Sequence, residues 1–260
     1  MLEKCDRAFM RRVFDCPIST PIESYYLETS TVPIRFILMG RRLMYLWTIL
    51  HKTENELVRK VFNTQTKFPV KNDWVLQVQE DLLKCKIELT NEEIEKMKKE
   101  KFRKIVNKSI KELSQEYLAE LVDKHSKTQN LYPTNKIQDY LINPNTTVDE
   151  KKLLFLLRTR MYSVKNNYQN GQSDLLCSLC SKSEENQQHL LVCEEITMEE
   201  ELKNALVNRK ITHDDIFGTP KKQVEAIKVW KVVNKIWKRK LKAKKTDLLD
   251  PNQNGSQDAP

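Results

Sequence analysis

The stretch TNEEIEKMKKEKFRKIVNKSIKELSQEYLAELVDKH, residues 90–125, decides the fold class. Its apolar positions (Ile94, Met97, Phe102, Ile105, Val106, Ile110, Leu113, Tyr117, Leu121 and Val122) recur at near-helical spacing with Lys and Glu between them. That period lines the apolar side chains along one face of a helix, whereas a strand would need strict alternation. Thr90 and Glu93 form a capping-box signature, in which the Thr oxygen accepts an orphan backbone N–H and the Glu reaches back to the cap. The expectation is one long amphipathic helix from Glu92 to about His125, with room for a bend.

The same start signal recurs at Thr20/Glu23, with Pro21 at the first helical position, at Thr53/Glu56 and at Thr147/Glu150. Residues 35–50, RFILMGRRLMYLWTIL, are apolar on most faces, which predicts the most buried helix, with Arg41 and Arg42 emerging at one edge. Only 4 of the 260 residues are Gly and 31% are charged, so the composition favours an all-α assembly over a sheet. The expected organisation is a helical domain over 1–126, a Pro- and Asn-marked hinge over 127–147, a second helical unit over 148–245 and a disordered tail over 246–260. Within the second unit, a helix from Val148 to about Val164 leads into a polar loop, KNNYQNGQSD, at 165–174.

The first residues carry charges where a signal peptide needs an apolar run, and no stretch has the length of a membrane span. The expected setting is intracellular and reducing, nucleus or cytoplasm, where clustered cysteines are metal ligands or free thiols rather than disulfides. Such a cluster is CSLCSKSEENQQHLLVC, residues 177–193. Cys177 and Cys180 have the spacing by which a tight turn aims two thiolates at one ion, and His189 and Cys193 at i and i+4 are neighbours on a helix face. Together they predict a closed tetrahedral Cys3His finger, for which zinc fits best. The alternatives are three free thiols beside a surface histidine, or a redox pair, which lacks the surrounding strand pattern. Cys5, Cys16 and Cys85 have no partner at ligand spacing.

The net charge of +9 is uneven. Between Lys221 and Lys245 stand eleven Lys or Arg and one acid, Glu225, a net +10, which leaves −1 for the rest of the chain. A helix over 220–245 would carry an apolar line, Ile227, Trp230, Val233, Trp237 and Leu241, and a basic line, Lys228, Lys231, Lys235, Lys238, Lys242 and Lys245, with Arg239 beside it. Lysines with few base-reading partners suit the phosphate backbone of RNA or DNA. Arg158, Arg160 and Lys165, just before the finger, would extend that surface, while the acidic run from Glu194 to Glu201 would confine binding to one side. A solvated helix face remains open, as does a basic, Trp-bearing helix that meets a membrane surface or a calmodulin-type partner.

The order LLRTRMYSVKNNY (156–168) followed by the Cys-Cys-His-Cys window resembles the C-terminal region of reverse transcriptases of non-LTR, LINE-like and jockey-type retrotransposons. TPIESYYLETSTVPIRFILMGRRLMYLWTIL (20–50) is similar to the segment after the polymerase thumb in that family, with Ser30 where the family's turn usually has Gly. DDIFGTPKKQVEAIKVWKVVNKI (214–236) looks like the family's closing helix. The resemblance implies a region that grips template RNA or target DNA and associates with a polymerase catalytic domain. A palm needs three metal-binding aspartates beside the primer end, and the only adjacent pair, Asp214-Asp215, precedes a helix and reads as a loop or cap. The expectation is a non-catalytic nucleic-acid-binding fragment. Its rivals are a zinc-held protein-interaction module, an inert remnant of a decayed element, and a piece that restores polymerase activity in trans.

Overall fold

A computed structural model of the chain describes residues 2–122, 128, 130–131, 134, 136–168, 174–207 and 211–249. Among the described residues there are fourteen α-helices, one short 3-10 helix and no strand beyond an isolated bridge between Leu176 and Glu184. The fold is all-α, as the periodicity and the scarcity of Gly predict. Contacts divide the chain into two compact units between Lys136 and Ile137, with Arg11–Pro21 grouped with the C-terminal one.

Elements α1 (Leu2–Phe14), α2 (Ile22–Thr29), α3 (Ile34–Leu50), α4 (Leu57–Lys67), α5 (Trp74–Lys84), α6 (Asn91–Glu95) and α7 (Lys99–Val122) precede the division. The core of this unit is the apolar face of α3, where Phe36, Met39, Leu43, Leu46 and Ile49 are buried against Val75 and Val78 of α5 and Phe102, Val106 and Ile110 of α7. Arg41 is exposed as expected, but Arg42 turns inward. Its guanidinium donates to both oxygens of the buried Asp81 carboxylate, at 2.7 and 3.1 Å. The capping box at Thr90/Glu93 is present.

The long helix expected from Glu92 is broken at Lys96–Lys98 into α6 and α7. The carbonyl of Met97, freed by the break, accepts the indole N–H of Trp47 at 2.9 Å, a tertiary contact that local periodicity cannot reveal. The Thr53/Glu56 signal forms a turn rather than a helix start: Glu56 reaches back to the N–H of Thr53, and α4 begins only at Leu57. Thr20 caps nothing, since its hydroxyl makes no hydrogen bond among the described residues and α2 begins at Ile22.

After the division come α8 (Asp139–Ile142), α9 (Val148–Arg158), α10 (Lys165–Tyr168), α11 (Gln187–Val192), α12 (Glu194–Thr197), α13 (Glu200–Leu206), a 3-10 turn (His213–Phe217) and α14 (Pro220–Leu249). Helix α8 lies within the segment expected to be a hinge, and α10 lies within the expected loop. Helix α9 has its predicted capping box at Thr147/Glu150 but stops at Arg158, six residues short of Val164. Arg160 adopts a left-handed conformation, φ 51°, and the N–H groups of Arg160 and Met161 return to the carbonyls of Leu157 and Leu156. This is the Schellman stop that usually recruits Gly, so an Arg in that position gave no warning of it.

Helix α14 is the axis of the C-terminal unit. Its predicted apolar line is buried at Ile227, Trp230, Val233 and Trp237. Tyr162 packs edge-on to Trp230 and against Trp237, and its hydroxyl donates to Asn234 at 2.8 Å. The helix runs on to Leu249, past the expected start of the tail at 246, and the expected disorder over 250–260 lies outside the described residues.

Candidate functional site

Cys177, Cys180, His189 and Cys193 bring four ligand atoms within 4.8 Å of one another. The Sγ atoms of Cys177 and Cys193 are 3.9 Å apart, and Cys180 Sγ is 3.3 Å from His189 Nε2. An ion bonded tetrahedrally at about 2.3 Å to sulfur and about 2.0 Å to nitrogen would hold its ligands about 3.8 Å apart for sulfur pairs and about 3.5 Å for a sulfur–nitrogen pair. The cluster is thus close to coordination geometry and can hold a metal ion through protein ligands alone.

Local structure explains the convergence. The N–H of Cys177 donates to Ser183 O at 2.7 Å and that of Ser181 to Cys177 O at 2.9 Å, which folds the Cys-x2-Cys segment into a knuckle with Ser181 at φ 55°. Asn186 caps α11 by accepting the N–H of His189 at 2.8 Å, so the histidine sits in that helix's first turn. Cys193 is not on the same helix face, contrary to the i, i+4 expectation. Helix α11 ends at Val192, and Cys193 takes an extended conformation, φ −60° and ψ 123°, between α11 and α12.

Glu185 escaped the sequence reading. It is 3% exposed, and its carboxylate accepts the N–H of Ser178 at 2.7 Å and that of Lys165 at 3.1 Å. One buried acid therefore ties the knuckle to the start of α10. Lys244 also escaped it. Its ammonium donates to the carbonyls of Ser178 and Leu179 at 2.9 and 2.6 Å, which fastens the far end of α14 to the knuckle. A third tie runs through Gln187, which donates to Leu157 O at 3.1 Å and accepts from His213 Nε2 at 2.9 Å.

Burial pushes the Cys193 thiol up to about 12, with the neighbouring Cys177 charge adding to the shift. Metal binding must displace that proton, so affinity falls as the solution becomes more acidic.

The predicted nucleic-acid contacts divide. Arg158 is 5% exposed: its guanidinium donates to Ile216 O at 2.7 Å and to Gln138 Oε1 at 3.3 Å, and it stacks over Phe217. It is an interior tie and is shielded from any phosphate. Arg160 serves as the helix stop, half-buried. Lys165 is held by Asp174 at 3.2 Å and by Leu176 O at 2.7 Å.

On α14, Lys231 pairs with Glu150 at 3.1 Å, Lys235 with Glu201 at 3.2 Å and Arg239 with Glu199 at 2.6 Å. The acidic run does not merely bound the basic helix; it neutralises part of it. Lys228, Lys238, Lys242 and Lys245 are exposed and have no ion pair among the described residues. Asp215 caps the 3-10 turn through the N–H of Thr212 at 2.7 Å and pairs with Lys222, in keeping with the cap reading of the Asp214-Asp215 pair.

No helix among the described residues is long and apolar enough to cross a membrane. Compared with known proteins, the chain matches no family model, no curated protein and no solved structure.

Proposed function

We propose that the chain is a zinc-stapled nucleic-acid-binding unit that performs no chemistry, of the kind that follows the polymerase in non-LTR retrotransposon reverse transcriptases. Three thiolates and an imidazole select zinc over harder cations, and with all four positions filled by protein the ion has no open site for a substrate. Its role would be structural, holding the knuckle against α11 and, through Lys244, against α14.

The observation that carries the binding half of the proposal is that four exposed lysines of the predicted basic line on α14, Lys228, Lys238, Lys242 and Lys245, have no carboxylate partner among the described residues. Their ammonium groups can displace counter-ions from a phosphate backbone without reading sequence. Four such contacts predict that log affinity for single-stranded RNA falls with log salt at a slope of about −3. A mobility assay over a salt series tests this, alongside metal analysis by mass spectrometry on protein purified without chelator. Salt-insensitive or absent retention of RNA rejects the binding role, and a metal-free protein rejects the staple.

The pairing of Lys231, Lys235 and Arg239 with Glu150, Glu199 and Glu201 favours a second reading, a zinc-held protein-interaction module, because it removes much of the charge that a nucleic acid would use. Retained zinc with no RNA binding would select that reading.

A further inference from the structure

The N-terminal unit carries a groove of about 660 Å³ between α3 and α7 that the finger and the basic helix do not explain. One wall is a row on α3: Ile37, Gly40, Arg41 and Met44. The other is a row on α7, where Arg103, Asn107 and Lys111 follow at four-residue spacing and so share a face. Gly40 lets the two helices approach closely beneath the groove: a Cβ there would lie 3.4 Å from Ile110 and 3.8 Å from Val106, both buried on α7.

The electrostatics are one-sided. Among the described residues no acidic side chain lines the groove, while Arg41, Arg103 and Lys111 are all exposed on its rim. Arg103 has only a loose pairing with Glu100 at 3.7 Å, and Arg41 and Lys111 have no ion pair among the described residues. The rim therefore calls for an anion, and an arginine fork suits phosphate oxygens.

The floor is apolar, but uncharged polar groups such as Asn107, Ser114 and Thr31 also face the space. An alkyl chain would bury these without hydrogen bonds, at a cost, whereas a nucleobase offers apolar faces for the floor and polar edges for the amide and hydroxyls. Arg103 and Lys111 stand about 12 Å apart along the helix axis, at 1.5 Å per residue, which leaves room for a nucleoside between them.

We propose that this groove binds a nucleoside phosphate, free or as one residue of a single strand, with the phosphate on Arg41, Arg103 and Lys111 and the base on the floor. The proposal extends the nucleic-acid reading above to a surface separate from α14, so the two can fail independently.

The test is fluorescence anisotropy of a labelled oligouridylate on the full chain, with uridine monophosphate as competitor and far-UV circular dichroism as the fold control. Gly40→Leu puts bulk against Ile110 at the groove floor without changing charge, Gly40→Ala adds only a Cβ at contact distance, and Arg41→Ala/Lys111→Ala removes the anion site should the leucine variant misfold. The expected result is binding about tenfold weaker for Gly40→Leu and for the charge variant, about 1.4 kcal/mol, with Gly40→Ala unchanged. Displacement by uridine monophosphate would assign the groove to free nucleotides; strand binding that is sensitive to the groove variants but not displaced would assign it to a strand. If only Lys228→Ala/Lys242→Ala weakens binding, the groove proposal falls while the α14 reading stands. If a medium-chain fatty acid is bound in a Gly40→Leu-sensitive manner and the nucleotide is not, the proposal is overturned.

Discussion

Arg158 illustrates what a single side chain can hide. In the sequence it stands with Arg160 and Lys165 as part of a basic cluster, yet it is buried, with the carbonyl of Ile216 as its acceptor. Arg158→Met should cost about 1–3 kcal/mol of stability by leaving that carbonyl unpaired, with RNA affinity unchanged; chemical denaturation and a mobility assay on the same variant check both halves. His213 makes a second residue-scale prediction. Burial holds its imidazole below the ordinary value of 6.5, so the folded state binds fewer protons than the unfolded chain just below that pH. Its neutral form therefore contributes stability that is present above 6.5 and is lost as pH falls from 6.5 towards the lower folded value. His213→Gln, which removes this titration, should flatten the difference in melting temperature between pH 7 and pH 5.5 relative to the parent chain. At this scale the four candidate metal ligands were legible because ligand chemistry demands particular residue types at short spacing. Glu185 and Lys244 were not, because what defines them is a backbone hydrogen bond to a distant turn.

Elements were legible where the signal is local. The capping boxes at Thr90 and Thr147 formed because both partners lie within one turn. The break after Glu95 and the stop after Arg158 stayed hidden because a Trp47 indole and a left-handed arginine, rather than Gly or Pro, set them. Helix α14 shows the same split: its buried Trp line followed from periodicity, but its charge balance depends on where Glu150, Glu199 and Glu201 arrive in space. Those carboxylates compete with any phosphate for Lys231, Lys235 and Arg239. Under the nucleic-acid reading, Glu199→Gln/Glu201→Gln should strengthen RNA binding several-fold and steepen its salt dependence, since each freed cation adds about −0.7 to the slope for a single strand. A mobility assay over a salt series measures this, and unchanged affinity would point to the protein-interaction reading.

For the molecule as a whole, the sequence conveyed the helical class, because that rests on composition and on hydrophobic period. It did not convey that residues 11–21 would group with the C-terminal unit, since no local pattern records a long-range contact. The Cys3His knuckle is tied to three segments of that unit, through Glu185, Gln187 and Lys244. Under the zinc-staple proposal, a strong chelator should therefore lower the melting temperature and the helical signal at 222 nm. Cys177→Ser should match the chelated state and be insensitive to added zinc. An equal melting curve with and without chelator would exclude an energetic role for the ion.

The carboxylates that meet α14 come from positions 150, 195, 199, 201 and 215, all upstream of the cations they neutralise. During synthesis these acidic partners emerge before the cations of the lysine-rich helix. Lys222, Lys231, Lys235, Arg239 and Lys240 thus meet intramolecular counter-ions already made, whereas Lys228, Lys238, Lys242 and Lys245 emerge with their charge uncompensated among the described residues.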